Sequence, residues 1–160
     1  MCLPYIDVLF GIEPYHLWKD EQDHQTGDVK DGVPFQPDFK QQDEVFHGFV
    51  KRYPNIKCIA RHVRYAHSCS ENSLMAYLWY DGKTYESQKL RFHILDRVGG
   101  EDAFVSGIIY ALMNEYKPQD IADFGVAASA VKHTIHGDGN ITDDVSLIEH
   151  IMQMNFDIKR

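Results

Sequence analysis

The chain has 160 residues and carries 24 Asp and Glu side chains against 16 Lys and Arg, so its formal net charge is −8. This length fits one domain of ordinary size, and 44% hydrophobic and 12% aromatic residues provide for a packed core, which argues against wholesale disorder. The acidic balance argues against a general binder of nucleic acids or anionic membranes, because such proteins need a basic surface. A local anion site remains open, since backbone amides can hold phosphate on an acidic protein.

The N-terminus and the cysteines indicate a cytoplasmic protein without a membrane partner. Residues 1–7 lack a basic leader, and the longest apolar run, 103–113, is too short to span a membrane, which takes about 20 residues. Cys2, Cys58 and Cys69 are odd in number and lack zinc-like spacing. We therefore expect reduced thiols rather than a disulfide framework.

In chain order, the first half of the sequence alternates short apolar runs with polar segments. Residues 3–10 predict a buried strand, and a helical stretch near 14–23 leads into a long polar loop. Apolar residues at helical spacing predict a helix over 41–53, which Pro54 ends. Residues 56–60 then predict a second buried strand.

The second half predicts a β-hairpin followed by helices. Asp81-Gly82 separates two strand-like runs, and this pair favours a two-residue turn with positive φ at both positions. The predicted elements are strands over 73–80, 83–87 and 90–95, and helices over 102–115, over 118–132 and from Thr142. The alternation of strands and helices is typical of an α/β fold.

The junction between the strand at 90–95 and the helix at 102 carries the clearest chemical signal. Gly99 and Gly100 let the backbone turn tightly with its amides exposed, and the start of a helix adds about half a positive charge. Such a turn binds phosphate oxygens, and Asp102 in it could accept a proton from an attacking hydroxyl. On spacing alone, plain turn chemistry with a first-turn acid explains the same residues.

Two longer motifs carry a family resemblance. Residues 96–104 (DRVGGEDAF), followed by 132–140 (KHTIHGDGN), resemble the C-terminal half of the PfkB, or ribokinase-like, carbohydrate kinases, and most of all the 2-keto-3-deoxygluconate kinases. Residues 59–68 (IARHVRYAHS) with Asn72 are similar too, and the resemblance extends from about Tyr5 to the last helix. It implies half of a three-layer α/β/α sandwich, with a β-hairpin and three C-terminal helices. Residues 1–160 would then form one partial kinase domain that lacks the N-terminal sugar-binding and lid half.

The resemblance also implies roles for individual residues. It implies a sugar-acid kinase that takes ATP and Mg²⁺ as cofactors, with Asp102 as the base that deprotonates the sugar hydroxyl. The amides of Gly99, Gly100 and Glu101 would hold the transferring phosphoryl group, and Arg64 would pair with the phosphates of ATP. The implied nucleotide-binding residues are His62, Arg64 and Ser68, and the implied substrate-binding residue is Asp138.

The sequence departs from the family pattern in three places. Glu101 stands where the family turn has glycine, and its carboxylate opposes a phosphate electrostatically. Ile12 and Tyr15 stand where the family has the Asn and Glu of a metal-organising element. Family members are about twice as long, and a sheet cut through its middle exposes an edge that recruits another chain. We therefore expect a homo-oligomer or pairing with a separate N-terminal half, and an inactive binding module is the alternative to an enzyme.

Two metal hypotheses are weaker. Residues 138–149 offer oxygens at calcium-loop positions, but Asp143 stands where the loop needs glycine, and a turn followed by the Thr142 cap explains the same pattern. His133 and His136 have no Cys or Glu partners at zinc spacing. We predict no metal held by the protein's own side chains.

Overall fold

A five-stranded mixed sheet with helices on both faces makes up the fold of the chain in the computed structural model, which describes residues 2–12, 38–140 and 145–153. Its elements are a 3₁₀-helix (Leu3–Tyr5), strands β1 (Val8–Phe10), β2 (Cys58–Ala66), β3 (Glu71–Tyr80), β4 (Lys83–Glu86) and β5 (Leu90–His93), and helices α1 (Phe39–Arg52), α2 (Gly100–Met113), α3 (Pro118–Lys132) and α4 (Val145–Met152). The predicted three-layer α/β architecture is confirmed.

The sheet is parallel at one edge and antiparallel elsewhere. β1 pairs parallel with β2, in the register Val8 with Cys58, and β2 pairs antiparallel with β3 over nine residues. β4 and β5 both pair with β3, at its C-terminal and N-terminal ends respectively. The predicted hairpin turn is confirmed, because Asp81 and Gly82 both have positive φ, at 49° and 79°.

Each face of the sheet has its own core. On one face α2, α3 and α4 cover the even-numbered side chains of β3, such as Leu74 and Leu78. On the other face α1 packs Phe46 and Phe49 against the odd-numbered side chains. α1 is fixed at its start by a capping box, in which Asp38 accepts from the amide of Gln41 at 2.8 Å.

α2 and α3 approach each other closely at two glycines. A Cβ atom on Gly107 would lie 2.9 Å from Cβ of Ala128 and 3.1 Å from Cα of Gly125. A Cβ atom on Gly125 would lie 2.6 Å from Cδ1 of Ile108. The absence of side chains at both positions therefore sets the spacing of the two helices that flank the candidate site.

Several predicted boundaries were wrong. The run over 3–10 is a 3₁₀-helix followed by a short strand, because Pro4 fixes its own φ and has no amide to donate to a sheet. The second strand begins at Cys58 and continues to Ala66, because β3 provides pairing partners along that whole length. α2 begins at Gly100 rather than at 102.

Some predictions fall outside the described residues. These are the helical stretch near 14–23 and the loop after it, the departure at Tyr15 and the Thr142 cap, and part of the calcium-loop pattern at 138–149. Among the described helices, none combines the length and the apolar character that crossing a membrane requires.

We predict that Gly107→Val lowers the free energy of unfolding by about 1–3 kcal/mol, because the new side chain would press against Ala128 and against the backbone of α3 at Gly125. Urea unfolding measures the change. Gly139→Val is the matched control, since nothing lies within 4 Å of a Cβ atom there. Equal loss of stability in both variants would contradict the account of helix spacing.

Candidate functional site

The glycine turn between β5 and α2 is held in shape by the side chain of Asp96. One carboxylate oxygen accepts from the amide of Val98 at 3.1 Å and the other from the amide of Gly137 at 2.8 Å. The hydrogen bond from Gly137 lowers the pKa of Asp96 most, and the bond from Val98 lowers it further. Gly99, the N-cap of α2, is left-handed with φ 77°, a conformation that strains a residue with a side chain.

The turn presents backbone amides at the start of a 14-residue helix. Within the described part of the chain, the amides of Gly99, Glu101 and Asp102 donate no hydrogen bond, whereas the Gly100 amide reaches the Arg97 carbonyl only at 3.4 Å. Unpaired amides at a helix N-terminus attract anions. Among the described residues, the amides at three of the four turn positions therefore have no hydrogen-bond acceptor.

The C-terminal turn of α3 supports this geometry from below. The His133 carbonyl accepts from the amides of Leu95 and Asp96 at 2.8 and 3.2 Å, and the Ser129 hydroxyl donates to the Gly100 carbonyl at 2.7 Å. A Cβ atom on Gly100 would lie only 2.3 Å from Cε1 of His133. The second glycine is thus required by the close approach of the imidazole.

An open cleft of about 410 Å³ lies beside the turn. β2 lines one side and the start of α2 the other, and Arg61 within it is nearly buried and donates to Oε1 of Gln42 at 2.8 Å. The ionisable residues that line the cleft are Arg61, His62, Arg64, Arg97, Glu101 and His133. Among the described lining residues, arginines outnumber the single carboxylate of Glu101, although the Arg61 side chain is bonded to Gln42 of α1, on the opposite face of the sheet from α2.

The two histidines of the cleft respond to this environment. Burial lowers the pKa of His62, the Glu101 carboxylate partly offsets the effect, and nearby cations lower it further. Burial also lowers the pKa of His133, together with neighbouring cations, although its hydrogen bond to the Ser129 carbonyl opposes the change. The lowered pKa values favour the neutral form of both imidazoles at neutral pH.

The structure brings together four of the eight residues that the resemblance implied. His62, Arg64, Gly100 and Glu101 line the cleft. The remaining four, Gly99, Asp102, Ser68 and Asp138, are not among its lining residues.

Those four residues differ in their distance from the turn. Asp102 is exposed in the first turn of α2, next to the cleft residue Glu101. Asp138 contacts the turn, since its carbonyl oxygen lies 3.0 Å from where a Cβ atom of Gly99 would stand. Ser68 lies in the turn between β2 and β3, where its amide donates to the Glu71 carbonyl at 3.1 Å.

Sequence reasoning missed three cationic or titratable residues of the cleft. Arg97 was visible inside the motif over 96–104, and His133 inside the motif over 132–140. Arg61 was visible inside the motif over 59–68, but the strand was predicted to end at 60. Extending that strand by its two-residue period would have placed His62 on the same face as Ala60 and brought Arg61 into the sheet.

No grouping of three or more His, Cys, Asp or Glu among residues 2–12, 38–140 and 145–153 could hold a metal ion.

Comparison with known proteins places this geometry in context. No family model matches the chain. A curated relative, the 5-dehydro-2-deoxygluconokinase of Clostridium botulinum (strain Alaska E43 / Type E3), is 30% identical over 71 residues, which are 44% of this chain and 20% of that protein.

Solved structures match a larger share of the chain. A PfkB family carbohydrate kinase from Listeria grayi superposes with a TM-score of 0.72 over 92% of this chain and 42% of its own, at 24% identity. The 2-dehydro-3-deoxygluconokinase of Thermotoga maritima superposes with a TM-score of 0.69 over 76% of this chain and 37% of its own, at 27% identity. The chain therefore spans about two fifths of the length of these structures.

The chain has the ribokinase-like fold, as a partial match to it. Its curated and structural relatives point to the PfkB family of carbohydrate kinases, including the 2-dehydro-3-deoxygluconokinases. The family resemblance predicted from the sequence motifs is confirmed.

Because folding lowers the pKa of His62 from its ordinary value of 6.5, the unfolded chain takes up protons first as the pH falls through 6.5. We predict that the free energy of unfolding decreases from pH 7.5 to pH 5.5, and that it decreases less in His62→Gln. Urea unfolding at both pH values measures the two slopes. His136→Gln, at an exposed position, serves as the control, and a His62→Gln slope equal to that of the wild type would contradict the prediction.

Proposed function

We propose that this chain is the nucleotide-binding half of a sugar kinase, which transfers a phosphoryl group from ATP to a hydroxyl of a sugar acid of the 2-keto-3-deoxygluconate type. The observation that carries the proposal is the set of unpaired amides at Gly99, Glu101 and Asp102 beside a cationic cleft. The names of the curated relative and of the Thermotoga structure support a sugar-acid substrate.

The described residues fit a nucleoside triphosphate better than they fit a metal ion by itself. The turn amides and the guanidinium groups of Arg64 and Arg97 offer donors to phosphate oxygens from two sides of the cleft. When bound, ATP with Mg²⁺ supplies the phosphoryl group and neutralises part of its charge. Mg²⁺ is commonly held by one or two carboxylates together with the phosphates, and Glu101 is the one carboxylate in the described lining of the cleft.

The chain's own residues then divide the chemistry. The amides of the glycine turn hold the phosphoryl oxygens, and His62 and Arg64 line the phosphate path. Ser68 contacts the nucleotide in this proposal, and Asp138 contacts the sugar substrate. Asp102 accepts the proton of the attacking hydroxyl, for which its exposed position next to the turn leaves access to a sugar.

A second candidate function rests on Glu101. Its carboxylate lines the cleft, where it repels phosphate at the position that the family turn fills with glycine. An inactive relative that binds nucleotide weakly, or that serves for subunit association, is the function this observation favours. Three unpaired cysteines, two of them exposed, support a cytoplasmic location for either function.

We predict that Asp102→Asn lowers ATP-dependent phosphorylation of 2-keto-3-deoxygluconate by about 10²–10⁴-fold, the usual contribution of a general base. A coupled assay of ADP release measures turnover. Asp120→Asn is the matched control, because Asp120 is the first-turn acid of the neighbouring helix α3, and it should leave turnover unchanged.

Glu101→Gly separates the two candidate functions in the same assay. No turnover in the wild type, with turnover appearing in Glu101→Gly once an N-terminal half is supplied, would favour the inactive relative. Turnover in the wild type that survives Asp102→Asn would contradict the assigned base.

The edge of the sheet predicts association. β1 is at the end of the described sheet, with β2 on one side, and α2 exposes Ile109 and Met113 at 42% and 78%. We predict a homo-oligomer or pairing with a separate N-terminal half, and a shift towards monomer in Met113→Glu, because a charge on an apolar contact face opposes its burial.

Size-exclusion chromatography with light scattering at low micromolar concentration tests this association. Leu147→Glu, at an exposed position of α4, is the control. The added partner is the N-terminal half of the Thermotoga relative. A wild-type monomer that also fails to bind that half would contradict the prediction.

A further inference from the structure

The last residue of α3, Lys132, is a buried cation at the base of the glycine turn. Its side chain is 1% exposed, although lysine is almost never fully buried unless its charge is paired. It lies in the motif over 132–140, and neither the proposed reaction nor the cleft uses it. Its burial therefore calls for a role of its own.

The ammonium group of Lys132 donates hydrogen bonds to two backbone carbonyls. Nζ donates to the Gly137 carbonyl at 2.6 Å and to the Ile135 carbonyl at 3.4 Å. A lysine in the last turn of a helix also offsets the partial negative charge of the helix C-terminus. The loop over 133–137 is thereby folded back over the end of α3.

The same side chain touches the glycine turn. Cε of Lys132 lies 3.0 Å from where a Cβ atom of Gly99 would stand, the same distance as the carbonyl oxygen of Asp138. The Gly137 amide, one peptide unit from the carbonyl that Lys132 holds, donates to Asp96 at 2.8 Å. Lys132 is thus in contact with both motifs, the one that forms the turn and the one that contains Asp138.

We propose that Lys132 is a positioning residue, whose buried ammonium fixes the loop over 135–138 against Gly99 and so holds the turn amides and Asp138 in one arrangement. The proposal rests on the proposed function for its chemical purpose. Its structural part, the coupling of loop and turn, stands without any ligand. Removing the charge leaves the carbonyls of Ile135 and Gly137 without their donor, and a buried polar group without a partner is destabilised.

The test measures amide hydrogen exchange in the full chain without ligand. In Lys132→Met, which keeps the length and removes the charge, we expect the amides of Val98 and Gly137 to exchange at least tenfold faster, while that of Phe49 in α1 is unchanged. Lys117→Met, an exposed site at the other end of α3, is matched in net charge and should change none of them. Unchanged exchange at Val98 and Gly137, or equal acceleration at Phe49, would overturn the proposal, since the second result assigns Lys132 to general stability.

A rescue experiment covers the case in which the Met variant does not fold. Lys132→Ala leaves space for an added amine, so propylammonium chloride should restore slow exchange at Gly137 in this variant and should leave exchange at Gly137 unchanged in Lys117→Met. Failure of the amine to restore it would overturn the proposal.

Binding of inorganic tripolyphosphate, measured by calorimetry, then connects Lys132 to the site. We expect at least tenfold weaker binding in Lys132→Met than in Lys117→Met, and equal binding in the two variants would overturn the link to the turn. If the wild-type chain binds no tripolyphosphate, the proposed function fails, and the exchange measurement alone decides the role of Lys132.

Discussion

The arrangement of the candidate site depends on the hydrogen bonds that join the segment before α2 to the end of α3. The His133 carbonyl accepts the amides of Leu95 and Asp96, and Ser129 binds the carbonyl of Gly100. The C-terminal end of α3 therefore supports the start of α2, the helix that precedes it in the chain. The close approach of α2 and α3 at Gly107 and Gly125 makes this possible, because any larger side chain there would separate the helices that the platform joins.

The cleft beside the turn combines opposing electrostatic features. Backbone amides and arginines favour a polyanion, whereas the Glu101 carboxylate disfavours it unless a cation comes with it. The pKa values of half-buried His62 and buried His133 are lowered, and the one N–H of a neutral His133 ring is donated to the Ser129 carbonyl. The same residues are consistent with weak nucleotide binding and with catalysis, so the chemistry at Asp102 and Glu101, rather than the fold, distinguishes the two functions.

Much of the fold could be predicted from the sequence, because local patterns decide its elements. The Asp81-Gly82 turn, the apolar face of α1 and Pro118 at the start of α3 each act within a few residues. What could not be predicted depends on contacts between distant segments. The length of β2 is set by its pairing with β3, the need for glycine at position 100 comes from the His133 ring, and the burial of Lys132 follows from the loop that folds over it. The family resemblance identified the turn, but the contribution of Arg61 and Arg97 to the cleft emerges only when β2 and the turn are placed side by side.

The central claim is that the amides of the glycine turn receive the phosphates of a nucleotide. Titration of the ¹⁵N-labelled chain with Mg²⁺-ATP, followed by NMR, tests it most directly, because hydrogen bonding to an anion moves an amide resonance at the position where it binds. The account predicts the largest shifts at Gly99, Glu101 and Asp102, with smaller ones at Arg64 and Arg97. Shifts confined to residues away from the turn, with these three amides unmoved at saturation, would contradict it.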